Sequence, residues 1–127
     1  MSGEDRATRR RLLATAAKLF ADGDFKQVTV RDICRAARTN VASVNYHFRD
    51  KLGLYREVLQ LAIEQLQSVT AEARQAGEGC SPEEKLRRFM RIQLRRILDR
   101  RSGWIHHLIN REMANPTPAL DTLVDQG

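Results

Sequence analysis

Residues 29–48, TVRDICRAARTNVASVNYHF, hold two short helix patterns with a tight break between them, and this pairing constrains the fold more than any other stretch. Thr29 offers a capping hydroxyl, and Asp32 three residues on gives the arrangement of a weakened capping box. Val30, Ile33, Cys34 and Ala37 then make one inward stripe, ending near Ala37. Asn40 reads as the N-cap of the next helix, which runs to about Tyr46. Only residues 38–40 separate the two.

The flanking segments read as helices of ordinary length. Residues 1–7 are expected to be a flexible arm. From Arg9 to Ala21 the apolar positions Leu12, Ala16, Leu19 and Phe20 fall on one helical face. Asp22-Gly23-Asp24 stops that helix, with Gly23 suited to a left-handed cap. Arg49-Asp50 breaks the chain again, with Asp50 as the next N-cap. A long helix from Lys51 to Ala76 follows, seamed by Leu52, Tyr55, Leu59, Ala62, Leu66, Val69 and Ala73 and ended by Gly77 and Gly79. Ser81-Pro82-Glu83-Glu84 starts a fifth helix, its acids suited to the positive dipole end. Its expected inner face is Leu86, Phe89, Met90, Leu94 and Ile97. Ser102-Gly103 is a break. A sixth helix is expected from Trp104 to Met113, with Ile105, Leu108, Ile109 and Met113 inward, and Asn115-Pro116-Thr117-Pro118 ends it. Residues 119–127 read as the start of a seventh. No strand pattern or repeat is present, so the fold class is all-α.

A short second helix after a tight turn and a supporting helix is a helix-turn-helix, whose second helix enters the major groove of DNA. Its N-terminal end must be lean, because bulky side chains hold the backbone away from base edges. Val41, Ala42 and Ser43 meet that need. Ser43 can hydrogen-bond a base edge, Val41 and Ala42 can touch a thymine methyl, and Asn45 can pair with adenine or reach a phosphate. Helix N-termini attract phosphate, which places Thr29 and Asn40 well. The charge distribution agrees. Residues 1–60 hold 12 Lys/Arg against 7 Asp/Glu, while the remainder holds 10 against 9. A basic first half points to a polyanion, nucleic acid before membrane.

Thr29-Val-Arg-Asp-Ile-Cys-Arg-Ala-Ala, Val44-Asn45-Tyr46-His47-Phe48 and Asp50-Lys51-Leu-Gly-Leu-Tyr55 together resemble the N-terminal domain of the TetR/AcrR family of transcriptional regulators, over about Arg9 to Leu59. A weaker resemblance runs through Arg111-Glu-Met-Ala-Asn-Pro-Thr-Pro-Ala-Leu120. The resemblance implies a DNA-binding domain over residues 1–50 and part of a helical effector-binding and dimerisation domain over residues 51–127. It implies that Thr29, Tyr46, His47 and Lys51 contact phosphates, that Val41, Ala42, Ser43 and Asn45 face bases, and that Phe48 packs inward. Arg9 and Arg10 could reach flanking backbone. The family usually has Gly and then an apolar residue where this chain has Arg38 and Thr39. That Gly serves a positive-φ turn, where Arg costs roughly 1 kcal/mol. Either a phosphate contact compensates Arg38 or the turn differs. Family members also carry further helices, the last two pairing across a two-fold axis, so this chain is expected to be a fragment. The implied partners are double-stranded DNA with a palindromic operator, a small-molecule effector of unknown identity and, for the full-length protein, a second copy. The implied mechanism is a repressor whose two heads lose their spacing when effector binds.

Other features read more plainly. His106 and His107 lie about 100° apart on a helix and cannot easily share an ion, and no HExxH or CxxC accompanies them, so no metal site is expected. Trp104, Met90, Phe89 and Met113 are expected in the core, and Phe89, Met90, Trp104 and His107 can also line an effector pocket between helices. Arg87, Arg88, Arg91, Arg95 and Arg96 read as a solvated face. There is no nucleophile elbow, phosphate loop or motif-placed carboxylate pair, so neither an enzyme nor a cofactor is expected. Cys34 reads as a small core residue and Cys80 as exposed, consistent with a reducing cytosol. No apolar run approaches the roughly 18 residues a membrane span needs, and the first residues lack a signal's apolar core. A cytoplasmic, nucleoid-associated bacterial protein is expected. Two other classes stay open: an architectural or cell-division DNA-binding factor without effector, and a helical protein-interaction module.

Overall fold

The computed structural model describes residues 2–76, 78–99 and 103–126, which form helices and, among the described residues, no strand. In order they are α1 (Gly3–Asp22), α2 (Val30–Ala37), α3 (Val41–Phe48), α4 (Lys51–Ala76), α5 (Pro82–Leu98), α6 (Gly103–Ala114) and α7 (Pro118–Gln126). The all-α class and the order of elements follow the apolar spacing. Gly77 and Ser102 lie outside the described residues, and Val69, Ala73, Arg96 and Ile97 outside the described side chains.

The expected N-terminal arm is instead the start of α1. The Ser2 side chain accepts from the Asp5 amide at 3.1 Å, and Glu4 and Asp5 sit in the first turn where the dipole favours anions. Gly23 is also corrected. Its φ of −140° is extended rather than left-handed, and its amide donates to the Leu19 carbonyl at 2.9 Å. A Cβ there would lie 3.3 Å from Val28 Cγ2, so a larger residue would ask Val28 to give by a few tenths of an ångström.

α1, α2, α3 and the first turns of α4 close one core. Leu12, Ala16 and Phe20 of α1 meet Ile33, Val44, Leu54 and Val58, all buried. Phe20, Phe25 and Tyr55 form an aromatic group, with ring centroids 4.8–5.8 Å apart. Burying side chains of this size contributes about 1.5–3 kcal/mol each. α6 extends the same core through Ile105 and Leu108, and α7 adds Ala119.

Two expectations fail in the second half. The stripe Leu86, Phe89, Met90 and Leu94 is exposed, not inward. α5 meets α4 and α6 on its other side, where Glu84, Arg88 and Ile92 are half-buried and Glu84 pairs with Arg88 at 3.2 Å. Met113 is likewise exposed, and its neighbour Glu112 is buried instead, 2% exposed. That carboxylate can enter because its bonds are satisfied: the Tyr55 hydroxyl donates at 2.5 Å and the Thr117 amide at 2.7 Å.

Candidate nucleic-acid interface

The turn before α3 is built by α2's C-terminus. The Thr39 amide donates to the Cys34 carbonyl at 3.0 Å and the Arg38 amide to the Arg35 carbonyl at 3.4 Å, the pattern of a Schellman cap. That cap needs a left-handed residue, and Arg38 takes it at φ 57°, ψ 50°. Of the two possibilities for this turn, the chain keeps the usual geometry and puts arginine in it. Arg11 Nε donates to the Ala37 carbonyl at 3.3 Å and ties the same corner to α1. At the far end of α2, the Thr29 hydroxyl accepts from the Asp32 amide and the Asp32 carboxylate from the Thr29 amide, at 3.0 and 3.2 Å. The capping box is therefore complete, and these bonds hold Asp32 below the usual carboxylate range.

α3 is anchored by Val44 and Phe48, both buried, and turns Val41, Ala42, Asn45 and Tyr46 outward. Tyr46 is 72% exposed and has the His47 ring edge-on at 4.8 Å. Asn40 caps the helix, its side-chain oxygen accepting from the Ser43 amide at 3.0 Å. The Ser43 hydroxyl is drawn into the same cap. It receives a bond from Thr39 at 2.8 Å and donates to Asn40 at 3.3 Å. To donate to a base, Ser43 must therefore exchange its bond to Asn40.

α3 ends at a second strained arginine. Arg49 has φ 77°, ψ −54°, and its amide donates to the Asn45 carbonyl at 3.1 Å. Nothing in the residue pattern marks that strain. α4 then starts hard against α3. Asp50 accepts from the Gly53 amide at 2.7 Å, and a Cβ on Gly53 would lie 2.0 Å from the Phe48 carbonyl oxygen. Only glycine fits that approach. Lys51 is half-buried, its ammonium 4.2 Å from the centre of the Phe25 ring, and burial lowers its pKa.

A concavity of about 590 Å³ gathers Arg38, Asn40, Ala42, Ser43, Tyr46 and His47 with Arg11, Glu4 and Asp5. Thr29, Val41, Asn45 and Lys51 lie outside it. The acids were hidden by the expectation of a flexible arm. Arg9 is turned inward, 2.6 Å from Glu57 and over the Phe48 ring at 5.0 Å, so it is held away from flanking backbone. Arg10 instead lines a cavity of about 850 Å³ between α1, α4 and α6, with Leu13, Lys18, Leu61, Trp104 and His107. Phe89 and Met90 do not line it; both are exposed on α5. The four pocket candidates are thus not brought together.

One feature was missed entirely. Arg111 reaches from α6 to the end of α1, donating to the Ala21 carbonyl at 2.8 Å, the Asp22 carbonyl at 3.0 Å and Asp24 at 2.8 Å. With Glu112 it locks α6 to α1 and α4. The Arg-Glu dipeptide carried the weaker resemblance, but no spacing rule marks a buried glutamate.

Among the described residues no group of three or more His, Cys, Asp or Glu could hold a metal, and no helix is long and apolar enough to cross a membrane. No curated protein matches the chain. A family model described as bacterial regulatory proteins, tetR family, matches residues 12–58, which span the two capped short helices and the start of α4. A second, described as the C-terminal domain of the HTH-type transcriptional dual regulator CecR, matches residues 82–127, from the start of α5 through the Arg111-Glu112 lock. The lean, capped helix anchored by two apolar residues, together with these two family models over residues 12–58 and 82–127, identifies the chain as a DNA-binding transcriptional regulator of the TetR family.

Proposed function

We propose that α3 reads a palindromic operator in double-stranded DNA, that two copies bind as a homodimer, and that a small effector releases them. The observation that carries the DNA contact is the exposure of Val41, Ala42, Asn45 and Tyr46 on a helix held by only two buried side chains; the homodimer and the effector rest on the resemblance to the family. Nothing bulkier than valine stands at its leading end, so its backbone can approach bases. In this reading Val41, Ala42 and Asn45 face bases, with Ser43 joining after exchange of its cap bond. Thr29, Arg38, Asn40, Tyr46, His47 and Lys51 take phosphates. Residues 1–50 act as the DNA head and residues 51–127 as the responding part. The effector would enter the cavity beside Trp104 and His107, which touches α1 and so can tilt the head.

Selection from random duplex DNA followed by salt titration tests the reading. The expected product is a palindrome with half-sites about 34–36 Å apart or a multiple of that. Binding with no enriched sequence would remove the operator and leave an architectural factor. The C-terminal match is to a regulator described as dual, so the accompanying reporter assay must read both repression and activation.

A further inference from the structure

A further cavity, of about 530 Å³, lies where the α1–α2 loop, α4 and the α6–α7 loop meet, with Arg111 in its lining. Phe25, Pro116 and Pro118 give it accessible apolar surface, Phe20 and Tyr55 are buried in its lining, and Gln27, Asn115 and Thr117 are polar. Its size suits a one- or two-ring ligand, small-molecule sites holding roughly 300–1,000 Å³. Three charged residues line it. Arg111 and Asp24 are bonded to each other at 2.8 Å. Lys26 is exposed and has no ion-pair partner among the described residues. The lining therefore offers stacking surfaces and one uncommitted cation. We propose that this cavity binds a small aromatic carboxylate, its ring between Phe25 and Pro116 and its carboxylate on Lys26.

The position makes such a ligand consequential. Phe25 lines the cavity and also carries the Lys51 ammonium on its ring. Tyr55 lines it and also holds Glu112. A ligand that shifts either ring acts on a lysine at the start of α4 and on the joint between α6 and α4. This consequence rests on the DNA-binding reading; the binding itself does not.

Calorimetry with benzoate and 1-naphthoate, and benzyl alcohol as the neutral probe, tests the site on the chain without DNA. Saturable binding of the acids is expected. Lys26→Gln should weaken them about tenfold, or about 1.4 kcal/mol, and benzyl alcohol less than about twofold. Phe25→Leu should weaken all three. Trp104, the single tryptophan, lies in the other cavity and should keep its fluorescence throughout. No saturable heat at millimolar probe overturns the site. Equal loss of acid and alcohol in Lys26→Gln overturns the ligand class. Binding unchanged in Lys26→Gln, or quenching of Trp104, places the ligand elsewhere and also overturns it. Lys26 is exposed, so its variant folds even where Phe25→Leu does not. Operator anisotropy with and without benzoate then reads the linkage: a shifted affinity supports it, and an unchanged one removes it. Failure of the ligand-free chain to bind DNA would count against the DNA reading alone.

Discussion

Arg38 separates strain from contact in one side chain. Its backbone sits at φ 57°, ψ 50°, a region that costs a non-glycine residue roughly 1–2 kcal/mol. Its side chain is exposed, so Arg38→Gly removes little packing. Glycine gives back about 0.4–1 kcal/mol through the freer unfolded chain. The net is a stabilisation of about 0.5–1 kcal/mol, or a Tm rise of about 2–5 °C. Arg38→Ala keeps the strain and loses the charge, so it should melt no higher than the parent. On DNA the two variants should behave alike. Loss of one phosphate contact lowers the slope of log K against log salt by about 0.9 on every sequence. Calorimetric melts and salt-titrated anisotropy on the three proteins give both readouts. If Arg38→Gly melts no higher than Arg38→Ala, the strain argument is wrong. If all three slopes coincide, Arg38 does not touch the backbone, and the arginine has no phosphate contact to offset its conformation.

Gly53→Ala should cost about 1–3 kcal/mol in urea melts, because the new methyl meets the Phe48 carbonyl 2.0 Å away and must push α3 off α4; an unchanged midpoint would show that this junction gives freely. Lys51→Ala should lower the salt slope by about one unit, and an unchanged slope would leave Lys51 as packing on Phe25 only. Tyr55→Phe tests the buried joint by pH. Burial, then the bond to Glu112, raises the Tyr55 ionisation above its ordinary 10.0, so the folded chain keeps the proton while the unfolded chain releases it. The stabilisation is present in full below pH 10 and falls above it, by up to about 1.4 kcal/mol per pH unit. Tyr55→Phe should be less stable near neutrality by about 1–3 kcal/mol, and the gap should close above pH 10; a constant gap would mean the hydroxyl does not stay protonated in the fold.

Local chemistry was legible in the residues wherever a cap or a period fixes it. Thr29, Asn40 and Asp50 all make the side-chain bonds expected of cap residues, and α4 begins and ends where its seam predicts. What periodicity cannot give is which neighbour a face meets. Leu86, Phe89, Met90 and Leu94 form an apolar row on α5, yet α4 and α6 take its Glu84–Arg88–Ile92 side. With that face outward, Phe89 and Met90 do not line the cavity that Trp104 lines. The same limit hid Glu112. A carboxylate next to a methionine reads as the exposed one, and only the Tyr55 hydroxyl, 57 residues away, reverses that choice. Arg9 is a third case, since a basic residue near the turn reads as a phosphate ligand until Glu57 claims it.

The lock at Arg111 and Glu112 has a consequence for how any ligand signal would reach α3. α1 and α4 are joined to α6 by apolar packing, which deforms little, and by hydrogen bonds, which are either made or broken. Glu112 is buried, so losing either Tyr55 or Thr117 leaves a charge under-bonded, at about 1.5–3 kcal/mol for a bond to a charged group. Arg111 is partly exposed, and its bond to Asp24 counts for less because water screens it; its two backbone carbonyl bonds hold the end of α1 in position. One such bond matches the 1–3 kcal/mol by which coupled sites typically influence each other. A ligand on either side of the joint therefore need not deform the core. Breaking or strengthening the Tyr55–Glu112 bond moves enough free energy to change how α4's first turn, with Lys51 and the Gly53 contact to α3, is held.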